Sequence, residues 1–371
     1  MSIDDILFDK LTKRKEQGLL RSLKPLREDL IDFSSNDYLG LARNKKLQAS
    51  IERIYKTEAQ KMNGSGGSRL LAGNYPQIEA LEILLHQVHG NESALVFNSG
   101  YNANLAVFSS IPQKGDIVLY DEYIHACVKD GLRLSLSKFF SFKHNNLEDL
   151  EKKLQKFNNR RVFIAIEGIY SMDGDLAPLK EICDLATKYS AEVIIDEAHS
   201  TGVYGKDGAG LVSHLGLDDH VYIKVHTFGK AIGVHGAVVN CSGIVKDYLI
   251  NYARSFIYTT SMTLHTVIAI QESYKYIQNN PNVQEGLFNV ISEYQNLSGN
   301  SKNKSPIQTF ISGSNKKAKE LASTLQKNKL AVYPVMSPTV PKGTERIRVC
   351  LHGFNTKSEL ETLATILKKQ V

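Results

Sequence analysis

The sequence predicts an α/β protein: a mainly parallel sheet covered by helices on both faces, followed by a smaller α+β lobe. Three observations carry this. Short β-rich apolar runs alternate with helix-patterned segments through the first three quarters of the chain. The composition shifts near NNPNVQEG, residues 279–286, and a polar tract, GNSKNKSP at 299–306, precedes a second, smaller set of elements. The chain has 371 residues, 42% of them hydrophobic, enough for a large core and a second lobe.

The elements follow in order. Ile3, Ile6, Leu7 and Leu11 recur at helical spacing, so an amphipathic helix is expected over 3–17. IDFSSNDYLGL, 31–41, begins as a strand and breaks into a polar turn, and a glycine-rich loop follows at 63–74. Ile78, Leu81, Leu84, Leu85 and Val88 make one apolar helical face. Strands are expected at 94–97, 116–120, 161–168, 192–196, 221–228 and 235–240, with helices between them at 102–110, 147–157 and 178–189. The second lobe reads as strand 307–312, helix 315–328, strands 331–335 and 345–351, and helix 356–369, with 299–306 an exposed loop. Ligands on parallel sheets of this kind gather at the carboxyl ends of the strands.

Charge and cysteine usage narrow the class. A net charge of +6 is spread over scattered Lys and Arg; it suits an acidic ligand such as a CoA thioester and does not call for nucleic acid. Cys127, Cys183, Cys241 and Cys350 have no C-x-x-C spacing and read as buried free thiols of a reducing, cytoplasmic protein. The N-terminal segment is charged throughout, with no apolar signal core, and no apolar run is long enough to span a bilayer. No metal-ligand pattern stands out, so neither a metal nor a membrane partner is expected.

The stretch VIIDEAHSTG, 193–202, has two chemical readings. A strand that ends in Asp-Glu-Ala-His can hold magnesium beside a nucleoside triphosphate, or it can hold the ring of pyridoxal phosphate. The first needs G-x-x-x-x-G-K-[ST] upstream to cradle the phosphates, and no window matches. The glycine-rich loop also fails G-x-G-x-x-G, because Arg69 stands where the third glycine belongs.

The second reading needs a lysine for the cofactor's aldehyde, a carboxylate for its pyridine nitrogen, a phosphate seat and a flat group against the ring. Lys230, in HTFGKAIGVHG, follows an apolar run directly and has small neighbours, Gly229 and Ala231. Asp196 ends an earlier strand. In FNSGYNAN, 97–104, a strand turns into a helix whose free N–H groups suit phosphate. His125, in YDEYIHAC, again follows a strand and can lie flat on the ring. A solvated lysine, a capping carboxylate and a plain strand-to-helix turn are the ordinary readings of each feature alone. Their joint occurrence, in this order, favours the cofactor.

The ordered set FSSNDYLGL, GSGGSRLLAGN, FNSGYNAN, DEYIHA, EGIYSMDGD, DEAHSTGVYG, TFGKAIG, YTTSM and PTVPKGTERIRV resembles the α-oxoamine synthases over essentially the whole chain. These are fold-type I pyridoxal 5'-phosphate enzymes that join an amino acid to an acyl-CoA with loss of CO2. The resemblance implies a large domain with a mainly parallel seven-stranded sheet and a smaller C-terminal domain. The corresponding division is an N-terminal arm at 1–40, a large domain at 41–280 and a small domain at 281–371. TFGKAIG and the compact length point to the branch that joins L-alanine to a pimeloyl thioester, from CoA or a carrier protein, for biotin. Sister branches use glycine with acetyl-CoA or serine with a long acyl-CoA.

The resemblance also assigns roles. Lys230 would carry the cofactor, Asp196 and His199 would hold its pyridine nitrogen and phenolic oxygen, and His125 would stack on the ring. Gly100 and Tyr101 would offer backbone N–H groups to the phosphate, and Thr227 its hydroxyl. Ser171 would be a further cofactor contact, with Glu167 lining the site. Thr260 would reach the phosphate held by a partner subunit, which implies a homodimer with shared sites. Arg21, Asn36, His125, Thr339 and Arg348 would contact substrate, with Arg348 pairing the amino-acid carboxylate bidentately. His235 departs from the small residue that the resemblance leads one to expect.

Overall fold

The structure is a computed structural model that describes residues 1–23, 25, 27–59, 61–299 and 303–369. Its strands, in chain order, are β1 (Ile31–Asp32), β2 (Ser93–Phe97), β3 (Ile117–Asp121), β4 (Lys138–Phe142), β5 (Val162–Glu167), β6 (Glu192–Asp196), β7 (Ile223–Thr227), β8 (Ala237–Cys241), β9 (Ile307–Ile311), β10 (Leu330–Ala331), β11 (Tyr333–Val335) and β12 (Arg346–Cys350). Seven of them form one sheet in the order β2-β8-β7-β6-β5-β3-β4, in which β8 alone runs against its neighbours.

Apart from its edge strand β4, the sheet is buried on both faces, as a parallel sheet must be. Along β2, Leu95 and Phe97 pack into one apolar cluster, which also takes side chains from helices Gly100–Ser110 and Ala126–Leu134. Ala94 and Val96 point the other way, into a larger cluster built with helices Pro76–His89, Leu179–Lys188 and Leu264–Asn279. The period-two alternation of a strand thus feeds two cores at once. Every residue of β5, β7 and β8 is buried.

The second lobe is an antiparallel sheet, β11-β12-β9, with helices Asn315–Lys327 and Lys357–Lys368. The chain before the large sheet is tied to this lobe: β1 pairs in parallel with β10, and the Phe33 carbonyl accepts the Cys350 N–H at 2.8 Å. That seam brings Asn36 and Tyr38 against Arg348 of β12. The first helix, Ile3–Glu16, opens with a Ser2/Asp5 capping box, but none of its residues is buried.

Three expectations need correction. The segment at 303–306 is exposed only at Lys304: Ser305 is fully buried, and the Asn303 side chain donates to the carbonyls of Asp173 and Ile307. Residues 300–302 lie outside the described residues. The single strand expected at 331–335 is two, because β10 serves β1 while β11 serves β12. The edge strand β4, KFFSF, was not anticipated; four of its five residues are exposed, so it carries no burial pattern.

β4 nevertheless positions the site, because it delivers His144. The ring nitrogens of His144 lie 2.9 Å from Asp121, at the end of β3, and 2.7 Å from Asp175, in the turn after β5. Asn145 adds its N–H to Asp121 and its side chain to Asp175. Tyr123 stacks on the ring at 4.4 Å. Burial alone would lower the imidazole's pKa, but the two carboxylates outweigh it and raise it to about 10. Because the folded value lies above the unfolded one, the stabilisation is complete below about pH 6.5 and is lost as pH rises through about 10. The thermal midpoint of the wild type should therefore fall more steeply than that of His144→Gln between about pH 6 and pH 10. Parallel curves would mean that the His144 charge contributes nothing.

Candidate active site

The carboxyl ends of five strands converge on one cavity of about 250 Å³. β2 runs into Ser99, Gly100 and Tyr101; β3 leads to His125; β5 ends at Glu167 and leads to Ser171; β6 ends at Asp196 and leads to His199; β7 ends at Thr227 and leads to Lys230. All ten residues line the cavity, together with Asn36, Asn104, Cys127 and His235. The lysine and the aspartate, 34 positions apart in sequence, meet because β6 and β7 are neighbours.

Asp196 is 7% exposed and both of its oxygens are occupied: one accepts the Ala198 N–H at 2.8 Å, the other the Asn104 amide at 2.6 Å. Glu167 faces it across the β5–β6 pair, in direct register. It accepts the His125 N–H at 2.6 Å. Burial, then the charge of Asp196, pushes the Glu167 carboxyl up. Burial pushes the Lys230 ammonium down, while Asp196 and Glu167 pull it the other way. One cation and two carboxyls in a water-poor cleft thus settle with reduced total charge.

His199 is buried, and its Nδ1 lies 2.7 Å from the Tyr38 hydroxyl. Burial, helped by Lys230 and Arg348, pushes its pKa well down. Tyr38 also donates to Asn36, and Asn36 accepts from Arg348 at 2.9 Å. Arg348 is held from a second side by the Ser171 carbonyl, at 2.6 Å from its Nε. No carboxylate pairs with Arg348 among the described residues. His125 caps the helix Ala126–Leu134 through its own ring, and burial leads in lowering its pKa.

At the other end of the cavity, Ser99 caps the 11-residue helix that begins at Gly100. A Cβ on Gly100 would stand 2.4 Å from the Thr227 side chain, so glycine is what lets the helix end and Thr227 share one concavity. Tyr101 turns its hydroxyl away, onto Asp130.

Three expected residues lie elsewhere. Thr260 is exposed and outside the cavity lining; its carbonyl accepts from Asn98. Arg21 and Thr339 are exposed, 3.4 Å from each other, and also outside the lining. Tyr38, Asn104 and Cys127 were missed as site residues although each lies in a quoted motif or one residue beyond it. Polar or thiol side chains inside otherwise assigned motifs were the available signal. The glutamate of DEAH has a different job from its neighbours: buried Glu197 accepts the N–H groups of Leu211 and Val212 at 2.8 Å each.

The aminotransferase class I and II family model matches residues 28–367. The chain is 39% identical to the 8-amino-7-oxononanoate synthase of Emericella nidulans, over 98% of this chain and 96% of that one. It superposes on the 8-amino-7-oxononanoate synthase of Francisella tularensis with a TM-score of 0.79 at 29% identity, covering 93% of this chain and 98% of that one. On the Sphingomonas wittichii serine palmitoyltransferase the TM-score is 0.87 at 25% identity, covering 98% and 96%.

The residues present fit the cofactor of these enzymes. The Gly100–Thr227 concavity at a helix N-terminus suits a phosphate. At the far side stand a lysine amine, a doubly hydrogen-bonded carboxylate and two imidazoles. The chain belongs to the aminotransferase class I and II family and, within it, to the α-oxoamine synthases, which are pyridoxal 5'-phosphate-dependent acyltransferases.

Proposed function

We propose that the protein condenses L-alanine with a pimeloyl thioester, giving 8-amino-7-oxononanoate, carbon dioxide and a free thiol, as a step in making biotin. The observation that carries this reading is the convergence of Lys230, Asp196, His199 and His125 on one cavity, with Arg348 bonded to two residues that line it, Asn36 and Ser171, and without a carboxylate partner among the described residues. The 39% identity to a relative of that name over nearly the whole chain supports the choice of substrates.

When bound, the cofactor supplies an aldehyde that takes up amines and a protonated pyridine that draws electrons from the amino acid's Cα. Lys230 would hold that aldehyde and, displaced by alanine, accept the α-proton; burial, which lowers its pKa, makes the neutral amine accessible. Asp196 would hold the proton on the pyridine nitrogen. Glu167 sits beside it, with a carboxyl that burial pushes toward neutrality, so a second negative charge does not crowd the first. His199, fixed by Tyr38, would face the phenolic oxygen, and His125 would lie along the ring. Gly100, Tyr101, Thr227 and Ser171 complete the seat. Arg348 would pair the alanine carboxylate with Asn36 beside it.

Arg21 and Thr339 would meet the acyl donor, and Thr260 would reach the site of a partner subunit in a homodimer. The division into 1–40, 41–280 and 281–371 belongs to the same reading, as does a cytoplasmic location. Among the described residues no helix is long and apolar enough to cross a membrane. A serine-using branch is the second reading, because the fold follows a serine palmitoyltransferase closely.

Turnover with alanine, glycine and serine against thioesters of graded length, followed by free-thiol release, separates these readings. Alanine with the pimeloyl donor should be fastest; preference for serine with a long acyl chain would transfer the chain to the sister branch. In the same assay Asp196→Asn should keep its cofactor and slow α-proton exchange by about 10² to 10³. Exchange at the wild-type rate would remove Asp196 from its role. Gly100→Ala drives a methyl group into Thr227, and overpacking of this kind typically costs about 1–3 kcal/mol, so cofactor affinity should drop by at least roughly fivefold. An unchanged absorbance titration would place the phosphate elsewhere.

A further inference from the structure

The cavity wall holds two hydrogen-bonded pairs, Asn104 with Asp196 and Cys127 with His125, of which the second is not used by the proposed chemistry. Asn104 is 1% exposed and donates to Asp196 at 2.6 Å. Cys127 is 2% exposed and also lines the cavity. The Cys127 sulfur in turn lies 2.9 Å from Nδ1 of His125. The Cys127 backbone N–H points at the same nitrogen, at 3.3 Å.

The direction of each link is fixed by chemistry. Asp196 accepts from two N–H donors, so the amide of Asn104 turns its NH2 group inward. The Cys127 backbone N–H can only donate, so the nitrogen it meets is an acceptor, and the thiol facing that acceptor turns its S–H toward it. Two donors, S–H and N–H, then meet at Nδ1, and a ring nitrogen facing two donors carries no proton of its own. The other groups acting on His125 are Asp196 and Asp130, which favour its charged form, and Lys230, which opposes it; its backbone N–H is taken by Glu167.

We propose that Cys127 is a positioning residue that fixes His125 as the neutral tautomer protonated at Nε2. Nε2–H is then the ring's donor, available to an oxygen of the bound substrate. This rests on the site reading given above for His125. Buried among apolar residues, the thiol is held far from ionisation and remains a donor across the working pH range.

The test uses holoenzyme with 15N-labelled histidine, without substrate, and assigns His125 by the signal lost in His125→Asn. Wild type should show the Nε2–H form. Cys127→Ala removes one of the two donors to Nδ1, so the His125 titration midpoint should rise and the acid limb of the kcat profile should move up with it. The loss of one hydrogen bond should lower kcat by about 5- to 10-fold and leave the amino-acid KM within about twofold. Cys127→Ser retains a donor of similar size and should restore both signals. A wild-type ring protonated at Nδ1, an alanine variant with the wild-type spectrum and titration, or a serine variant that behaves like alanine would each overturn the proposal. Absent turnover of alanine in wild type would speak against the reaction instead, since the nuclear resonance arm is read without substrate.

Discussion

The register between β5 and β6 is the constraint on which the site depends. It sets Glu167 beside Asp196 at two adjacent strand ends, facing the same cleft and both nearly out of reach of water. Two ionised carboxylates at that spacing would repel strongly in a low-dielectric setting. The protein resolves the conflict unequally. Asp196 receives two N–H donors and keeps its charge partners close, whereas burial drives Glu167 toward its neutral form. Lys230, one strand further along, is drawn into the same balance and pushed toward the neutral amine. Acid and base roles are thus assigned by position on a sheet rather than by residue type.

A second set of contacts crosses the lobes. Arg348 comes from the small antiparallel sheet, Asn36 and Tyr38 from the segment after β1, and His199 from the end of β6. The β1–β10 pairing and the Phe33–Cys350 hydrogen bond fasten the first two to each other. A change in how the small lobe sits would therefore be felt at His199 through Tyr38. Similarly, His144 ties the loop that carries His125 to the turn that carries Ser171, so the edge strand β4 supports the opposite wall.

Much of this was legible in the sequence, for physical reasons. β5 and β6 announce themselves because a strand buried on both faces must be apolar throughout, and VFIAI and VII are. Lys230 and Asp196 stood out because a titratable residue at or just beyond the end of such a strand has few structural reasons to be there. β4 was illegible because an exposed edge strand needs no pattern. Asn104 and Cys127 were hidden for another reason: on a helix, a polar side chain that faces a cavity looks like any buried helix residue until the neighbouring strand end is known. The exposed reading of 303–306 failed because Ser305 and Asn303 satisfy the backbone locally, which polar composition alone does not reveal.

The central claim is that the amine of Lys230, and of no other lysine, holds the cofactor. The most direct measurement is borohydride reduction of the holoenzyme followed by peptide mass mapping. The account predicts a pyridoxyl phosphate mass added to the peptide that contains TFGKAIG, at Lys230, and absent from it in Lys230→Ala. A label on Lys224, on a surface lysine, or on no lysine at all would contradict it.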